Sequence, residues 1–149
     1  MCERIFLAAP FKQLLTVDNV LQSSSLREIK KIIQFLENKN YIVDNAHKRE
    51  KWGLKMMTPN QCTAADYSAI EDCNIFIAFP GNPASPGTHI EIGWASAFNK
   101  RIILCLRKNV DYAYLIRGLQ TIANVEYIYY ENMIECLSKI DYIDRERII

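Results

Sequence analysis

The sequence has no C-x-x-C pair and only two histidines, His47 and His89, among its 149 residues. Zinc-type ligand spacing is therefore absent, and neither a metal nor an organic cofactor is implied. It also lacks a basic excess: 18 Lys and Arg stand against 17 Asp and Glu, a formal net charge of +1. That sets aside a protein built to hold a nucleic-acid polymer. It leaves room for a small anionic ligand, which needs only one local pocket. No apolar run approaches the roughly 18 residues of a membrane span. The start, Met1-Cys2-Glu3-Arg4, runs directly into a strand-like segment without the apolar stretch and cleavage site of a secretory signal. A cytoplasmic protein is expected. Repeats, low-complexity tracts and linker-like segments are missing too, so residues 1–149 are expected to form a single domain.

What is present is an ordinary globular balance, with 50% apolar and 23% charged residues, enough to bury a core without cross-links. The five cysteines, Cys2, Cys62, Cys73, Cys105 and Cys136, sit in apolar stretches. They read as small buried hydrophobes in a reducing compartment. Arg4 to Ala9 reads as a strand stopped by Pro10. Ser24 or Ser25 is placed to cap a helix whose face is Leu26, Ile29, Ile32, Ile33 and Leu36. Tyr41 to Val43 is a second strand. Residues 44 to 58 read as a long polar connection with Lys48, Arg49, Lys51 and Lys55 around Trp52. A helix starts at Thr58-Pro59 or at Thr63 and runs to about Asp72.

Asn74 to Phe79 is a third strand, apolar on both faces as in a central parallel strand. The turn-rich loop Pro80 to Gly87 leads to a helix from Thr88 to about Phe98. Arg101 to Leu106 is a strand, Asp111 to Leu119 a helix, Val125 to Tyr129 a strand and Asn132 to Ile140 a last helix. This alternation predicts a parallel sheet with right-handed crossovers and helices on both faces. Five strands in this length fit a flavodoxin-like (Rossmann-like) doubly wound α/β fold of order 2-1-3-4-5. Ligands then bind beyond the carboxyl ends of strands 1 and 3, where the order reverses. The loops meeting there begin at Pro10 and run from Pro80 to Gly87.

That second loop is the richest feature. Gly81 and Gly87 allow close backbone approach, Ser85 offers a hydroxyl, and a helix N-terminus follows. Glu91 stands three residues after Thr88. The spacing favours a capping box between the two; the alternative is a cleft carboxylate held ionised by the helix terminus. Asp66, three residues after Thr63, has the same two readings. If both carboxylates face one cleft they form an acid–nucleophile pair of glycosidase type. His89 reads as solvent-facing, and Trp94 and Phe98 as core packing behind Glu91. Trp52 and its basic neighbours either close over an anion or form a solvated loop with one aromatic anchor.

Three segments carry a family resemblance: Ile5-Phe6-Leu7-Ala8-Ala9-Pro10, Asp66 to Ile70, and Ser85-Pro86-Gly87-Thr88-His89-Ile90-Glu91-Ile92-Gly93-Trp94-Ala95. Together they resemble the nucleoside 2-deoxyribosyltransferase superfamily. Ala97 to Ile102 and Ile116-Arg117-Gly118 are most similar to its 2'-deoxynucleoside 5'-phosphate N-hydrolase and CMP-type N-glycosidase branch. The resemblance implies that Glu91 is a nucleophile attacking C1' of the sugar and that Asp66 helps the base depart. It places Ala9, Pro10, Phe11, Ser85 and Gly87 against the substrate. Phe11 either borders the base or packs on its own loop. Ser85 stands where transferases usually carry aspartate, and a hydroxyl suits a 5'-phosphate that an aspartate repels.

The implied activity is hydrolysis of a nucleoside 5'-monophosphate, with base exchange by a deoxyribosyltransferase and binding without turnover as alternatives. A homo-oligomer, dimer or larger, is implied as well. Ile5, Phe11-Lys12 and Ala113 depart from the family pattern, so a phosphate pocket would be built differently here, with Lys12 or the Trp52 segment as its positive charge.

Overall fold

Side-chain alternation along the strands sorts the interior into two layers. In the computed structural model, which describes residues 2–9 and 23–146, β1 (Arg4–Ala8) sends Ile5 and Leu7 to one face and Phe6 and Ala8 to the other. The first layer is closed by α1 (Ser23–Glu37) through Ile29, Ile32, Ile33 and Leu36, and by α6 (Met133–Glu146) through Cys136 and Ile140. The second is closed by α3 (Pro59–Asp72) through Ile70 and by α4 (Pro86–Ala97) through Ile92 and Ala95. Each fully buried Ile or Leu contributes about 1.5–3 kcal/mol relative to exposure, so these stripes decide which face each helix turns inward.

The sheet is all parallel. Its remaining strands are β2 (Ile42–Asp44), β3 (Ile75–Ala78), β4 (Arg101–Arg107) and β5 (Val125–Tyr130). Their order is β2-β1-β3-β4-β5, the order expected from the alternation. The register pairs Ile5 with Ile75 and Ala8 with Ala78, so β1 and β3 end side by side, while α1 and α4 pack on opposite faces of the sheet. Phe6 and Phe76 stack across that pair with ring centroids 5.7 Å apart. Among the described residues no helix is long and apolar enough to cross a membrane.

Several boundaries differ from expectation, each for a local reason. Ser24 and Ser25 lie inside α1, which runs from Ser23, so neither precedes it as a cap. The side chain of Leu26 lies outside the described set. The polar connection after β2 is not irregular. Asn45 caps a short α2 (Ala46–Arg49) by accepting from Lys48 N, and a 3₁₀ turn covers Lys51–Gly53. The helix expected over Asp111 to Leu119 is only α5 (Tyr114–Arg117) with a 3₁₀ turn after it. The Asp111 carbonyl accepts from Asn82 Nδ2, and the Tyr112 hydroxyl accepts from Arg107 N. Both residues are thereby tied into loops. Cys73, Cys105 and Cys136 are buried thiols as expected, whereas Cys2 is exposed and Cys62 half-buried.

Candidate active site

Two helices aim carboxylates at the same place, and their apolar stripes explain how. On α4 the inward residues Thr88, Ile92 and Ala95 follow helical spacing, and Glu91 falls beside them, one residue before Ile92. On α3, Asp66 lies four residues before the buried Ile70 and seven before the buried Cys73. Each carboxylate thus continues an apolar stripe toward the carboxyl ends of the strands. Both side chains are half-buried rather than solvated.

Neither is a cap. Pro86 occupies the first helical position of α4, and Ser85 Oγ accepts from Thr88 N at 3.4 Å as the N-cap. Glu91 is therefore in the second turn, beyond the unpaired N–H groups, and the expected Thr88–Glu91 capping box does not form. Likewise Thr58 caps α3 and forms a reciprocal box with Gln61, which leaves Thr63 and Asp66 inside the helix. A terminal dipole does not hold Glu91 ionised either. Burial, and then the negative charge of Asp66, push its carboxyl up to about 8, although Arg49 pulls the other way. Asp66 is also raised by burial, against the pull of Arg49.

Arg49 lies in the segment expected to be a polar connection, and the sequence does not mark it as a partner of Asp66. From the end of α2 its Nη1 donates to Asp66 Oδ1 at 2.7 Å. Its charge also acts on Glu91. No local signal marks it, because its partner is on another helix. The carboxylates did leave a signal: an acidic residue at an otherwise apolar stripe position.

The other predicted site residues fall around this cluster. Ser85 is buried at the start of α4, its carbonyl 2.6 Å from His89 Nδ1, so His89 turns back on the loop rather than outward. A hydroxyl accepting from Thr88 N keeps its own proton available to donate. Gly87 is exposed in the first turn, and a Cβ there would meet nothing within 4 Å. Ala9 directly follows β1; its carbonyl is 3.4 Å from His47 Nε2. Pro10 and Phe11, and Lys12 with them, lie outside the described residues. Ile5 is buried in the sheet, and Ala113 precedes α5 without a side-chain cap bond.

The Trp52 segment has its aromatic anchor in the α1 layer. Trp52 packs against the α1 layer with Lys30 Nζ 5.0 Å from its ring centroid, and Lys48 pairs with Glu37 at 2.7 Å. Trp94 and Phe98 pack as expected, both edge-on to Tyr67. A cavity of about 320 Å³ opens nearby at the strand ends, bounded by Ala9, Phe79, Gly81, Asn82 and Arg107. It lies on the α1 side, and neither Asp66 nor Glu91 is in its described wall. Among the described residues no group of His, Cys, Asp and Glu is arranged to hold a metal ion.

His47 gives the region a pH signature. It is buried, and burial lowers its pKa from 6.5 to about 4, partly offset by the Ala9 carbonyl. A depressed folded-state pKa means stability is intact above about pH 6.5 and is lost as pH falls toward 4, by about 3 kcal/mol in all. Urea midpoints of wild type and His47→Gln should therefore converge as pH drops from 7 to 4. A constant difference across that range contradicts a neutral buried imidazole.

The chain is 46% identical to the CMP N-glycosidase BcmB of Clostridium botulinum, over 93% of its own length and 99% of that chain, with a TM-score of 0.73. It is 40% identical to BlsM, known from a solution structure, over 94% of its length and 88% of that chain, with a TM-score of 0.80. The 2-deoxyribosyltransferase of Bacillus psychrosaccharolyticus shares the fold at 18% identity, each chain covered over 90%, with a TM-score of 0.61. No protein-family model matches the chain, and no curated protein sequence does.

Proposed function

Because the chain belongs to the nucleoside 2-deoxyribosyltransferase-like superfamily, we propose that it is an N-glycosidase that hydrolyses a nucleoside 5'-monophosphate to free base and sugar phosphate. The observation that carries this reading is the paired placement of Glu91 and Asp66 on the inner stripes of two adjacent helices at the strand ends. The 46% identity to a CMP N-glycosidase makes CMP the first substrate to test.

The chemistry follows from charge. As the bond to the base stretches, C1' becomes oxocarbenium-like and the base gains negative charge. Ionised Glu91 attacks C1' and forms a glycosyl ester while the C–N electron pair leaves with the base. A proton delivered with the help of Asp66 neutralises that base. Water then attacks C1' and gives its proton to Asp66, the ester bond to Glu91 breaks, and sugar phosphate is released with the carboxylate restored. Burial and the nearby Asp66 charge keep the Glu91 carboxyl protonated at neutral pH before substrate arrives. Ionising Glu91 therefore limits the free enzyme below about pH 8.

Ser85 supports the phosphate. Its acceptor side caps α4 and its proton remains to donate to a phosphate oxygen, with the exposed Gly87 beside it. The rival is a deoxyribosyltransferase, in which a second base takes the place of water. Incubation of CMP, dCMP and their nucleosides with a large excess of a different acceptor base separates the two. Hydrolysis gives free cytosine and no new nucleoside or nucleotide. A new base–sugar product of the acceptor would instead establish transfer.

A further inference from the structure

The short segment between β2 and α3 is built with unusual backbone effort for a surface connection. Asn45 fastens its start, donating from Nδ2 to the Leu7 carbonyl of β1 at 2.9 Å while its Oδ1 accepts from Lys48 N. His47, buried, lies against the Ala9 carbonyl. Glu50, also buried, fastens the other end: Oε1 accepts from Met57 N at 3.1 Å and its carbonyl accepts from Lys55 N at 3.0 Å. Then three successive residues have positive φ, Lys51 at 50°, Trp52 at 60° and Gly53 at 92°. Two of them carry a Cβ, which makes this conformation costly. Trp52 is held under Lys30.

The side chain that this framework presents toward the carboxylates is Arg49, between the two anchors. It pairs with only one oxygen of Asp66, Oδ1, at 2.7 Å. We infer that Arg49 is a positioning residue for the reaction proposed above: it fixes the Asp66 carboxyl so that Oδ2 faces the departing base, and it offsets one of two negative charges crowded into the cleft. This rests on the N-glycosidase reading of the Asp66–Glu91 pair.

The surroundings single out Arg49 for this role. Among the described residues, the charged groups acting on Glu91 are Asp66 from α3 and Arg49 from α2. The sheet beneath α4 presents apolar side chains: Phe6, Ala8, Phe76, Ala78, Ile102 and Leu104. With Arg49 removed, the described charge facing Glu91 is Asp66, a like charge. Glu91 then ionises only at higher pH, and Asp66 loses the contact that orients it. A residue that merely staples α2 to α3 would alter thermal stability and leave the ionisation of Glu91 where it was.

The test uses the full chain with Arg49→Gln and Arg49→Lys, after thermal melts establish that each is folded. The first readout needs no substrate: the carboxyl carbon of Glu91 is followed by NMR across a pH titration. Arg49→Gln should move its midpoint up by about one pH unit, and Arg49→Lys, which keeps the charge, should bring it most of the way back. The second readout is the pH profile of kcat/KM for base release from CMP. Its acid limb should move up with the NMR midpoint, with kcat at the plateau down about tenfold or more in Arg49→Gln and KM little changed. In Arg49→Lys the limb returns while kcat stays low, because an ammonium lacks the guanidinium's planar fork. An unmoved Glu91 midpoint in Arg49→Gln overturns the inference, as does a plateau kcat equal to wild type. If wild type releases no base from CMP or the other nucleotides, the N-glycosidase reading fails. The NMR titration still decides whether Arg49 governs the ionisation of Glu91.

Discussion

Glu91→Gln should lower base release from a nucleoside monophosphate by ~10⁴-fold or more, because an amide cannot form and release the glycosyl ester. The same substitution should make the protein more stable above neutral pH. Glu91 is pushed up to about 8 by burial and by Asp66. A carboxyl whose folded-state pKa is raised leaves stability intact below its ordinary value near 4.5 and drains it as pH rises through 8. Allowing for the partial exposure of the side chain, that drain is on the order of 3 kcal/mol. Glutamine keeps the shape and carries no charge, so urea unfolding at pH 8.5 should show the variant above wild type, with the gap closing toward pH 5. Loss of activity together with this stability gain is the pattern of a residue held in an unfavourable setting for chemistry. Loss of activity with lower stability would instead mark Glu91 as a packing residue.

Ser85→Asp separates the cap that the Ser85 hydroxyl provides from the phosphate contact proposed for it. Aspartate caps helices about as well as serine, so Thr88 N keeps an acceptor and the melting temperature should change little. In the proposed substrate complex, however, a carboxylate at that position faces a dianionic 5'-phosphate. Two like charges about 4 Å apart in a partly screened cleft repel by several kcal/mol, so kcat/KM for the monophosphate should fall by ~100-fold or more. The unphosphorylated nucleoside should be affected far less, and the preference between the two should shrink or invert. Ser85→Ala is the complement. It loses the cap, costing about 1 kcal/mol, along with the donor, and adds no repulsion. If Ser85→Asp slows nucleoside and nucleotide equally, Ser85 is only a cap and the phosphate is read elsewhere.

The fold was legible because helices and strands alternate with unmistakable periods, and because β1, β3 and β4 are apolar on both faces. The site was legible in part. Glu91, Asp66 and Ser85 were singled out by their loops and by resemblance, but their local setting was misread. A threonine three residues before a glutamate looked like a capping box, whereas Pro86 behind Ser85 is the stronger start signal and moves α4 two residues earlier. That shift takes Glu91 off the helix terminus and onto the edge of a buried stripe. It reverses the expected effect of its surroundings from favouring the ion to opposing it. Arg49 was not legible at all. Its role depends on α2, a helix of one turn that shows no periodicity, and on a run of positive φ at Lys51 and Trp52 that no sequence pattern announces.

The most direct test follows free cytosine released from CMP by wild type and by Glu91→Gln at pH 8, alongside cytidine as the unphosphorylated control. The account predicts cytosine and sugar phosphate in equal amounts from wild type, a slower reaction with cytidine, and none above background from the variant. Release of cytosine from CMP by Glu91→Gln at the wild-type rate would contradict it.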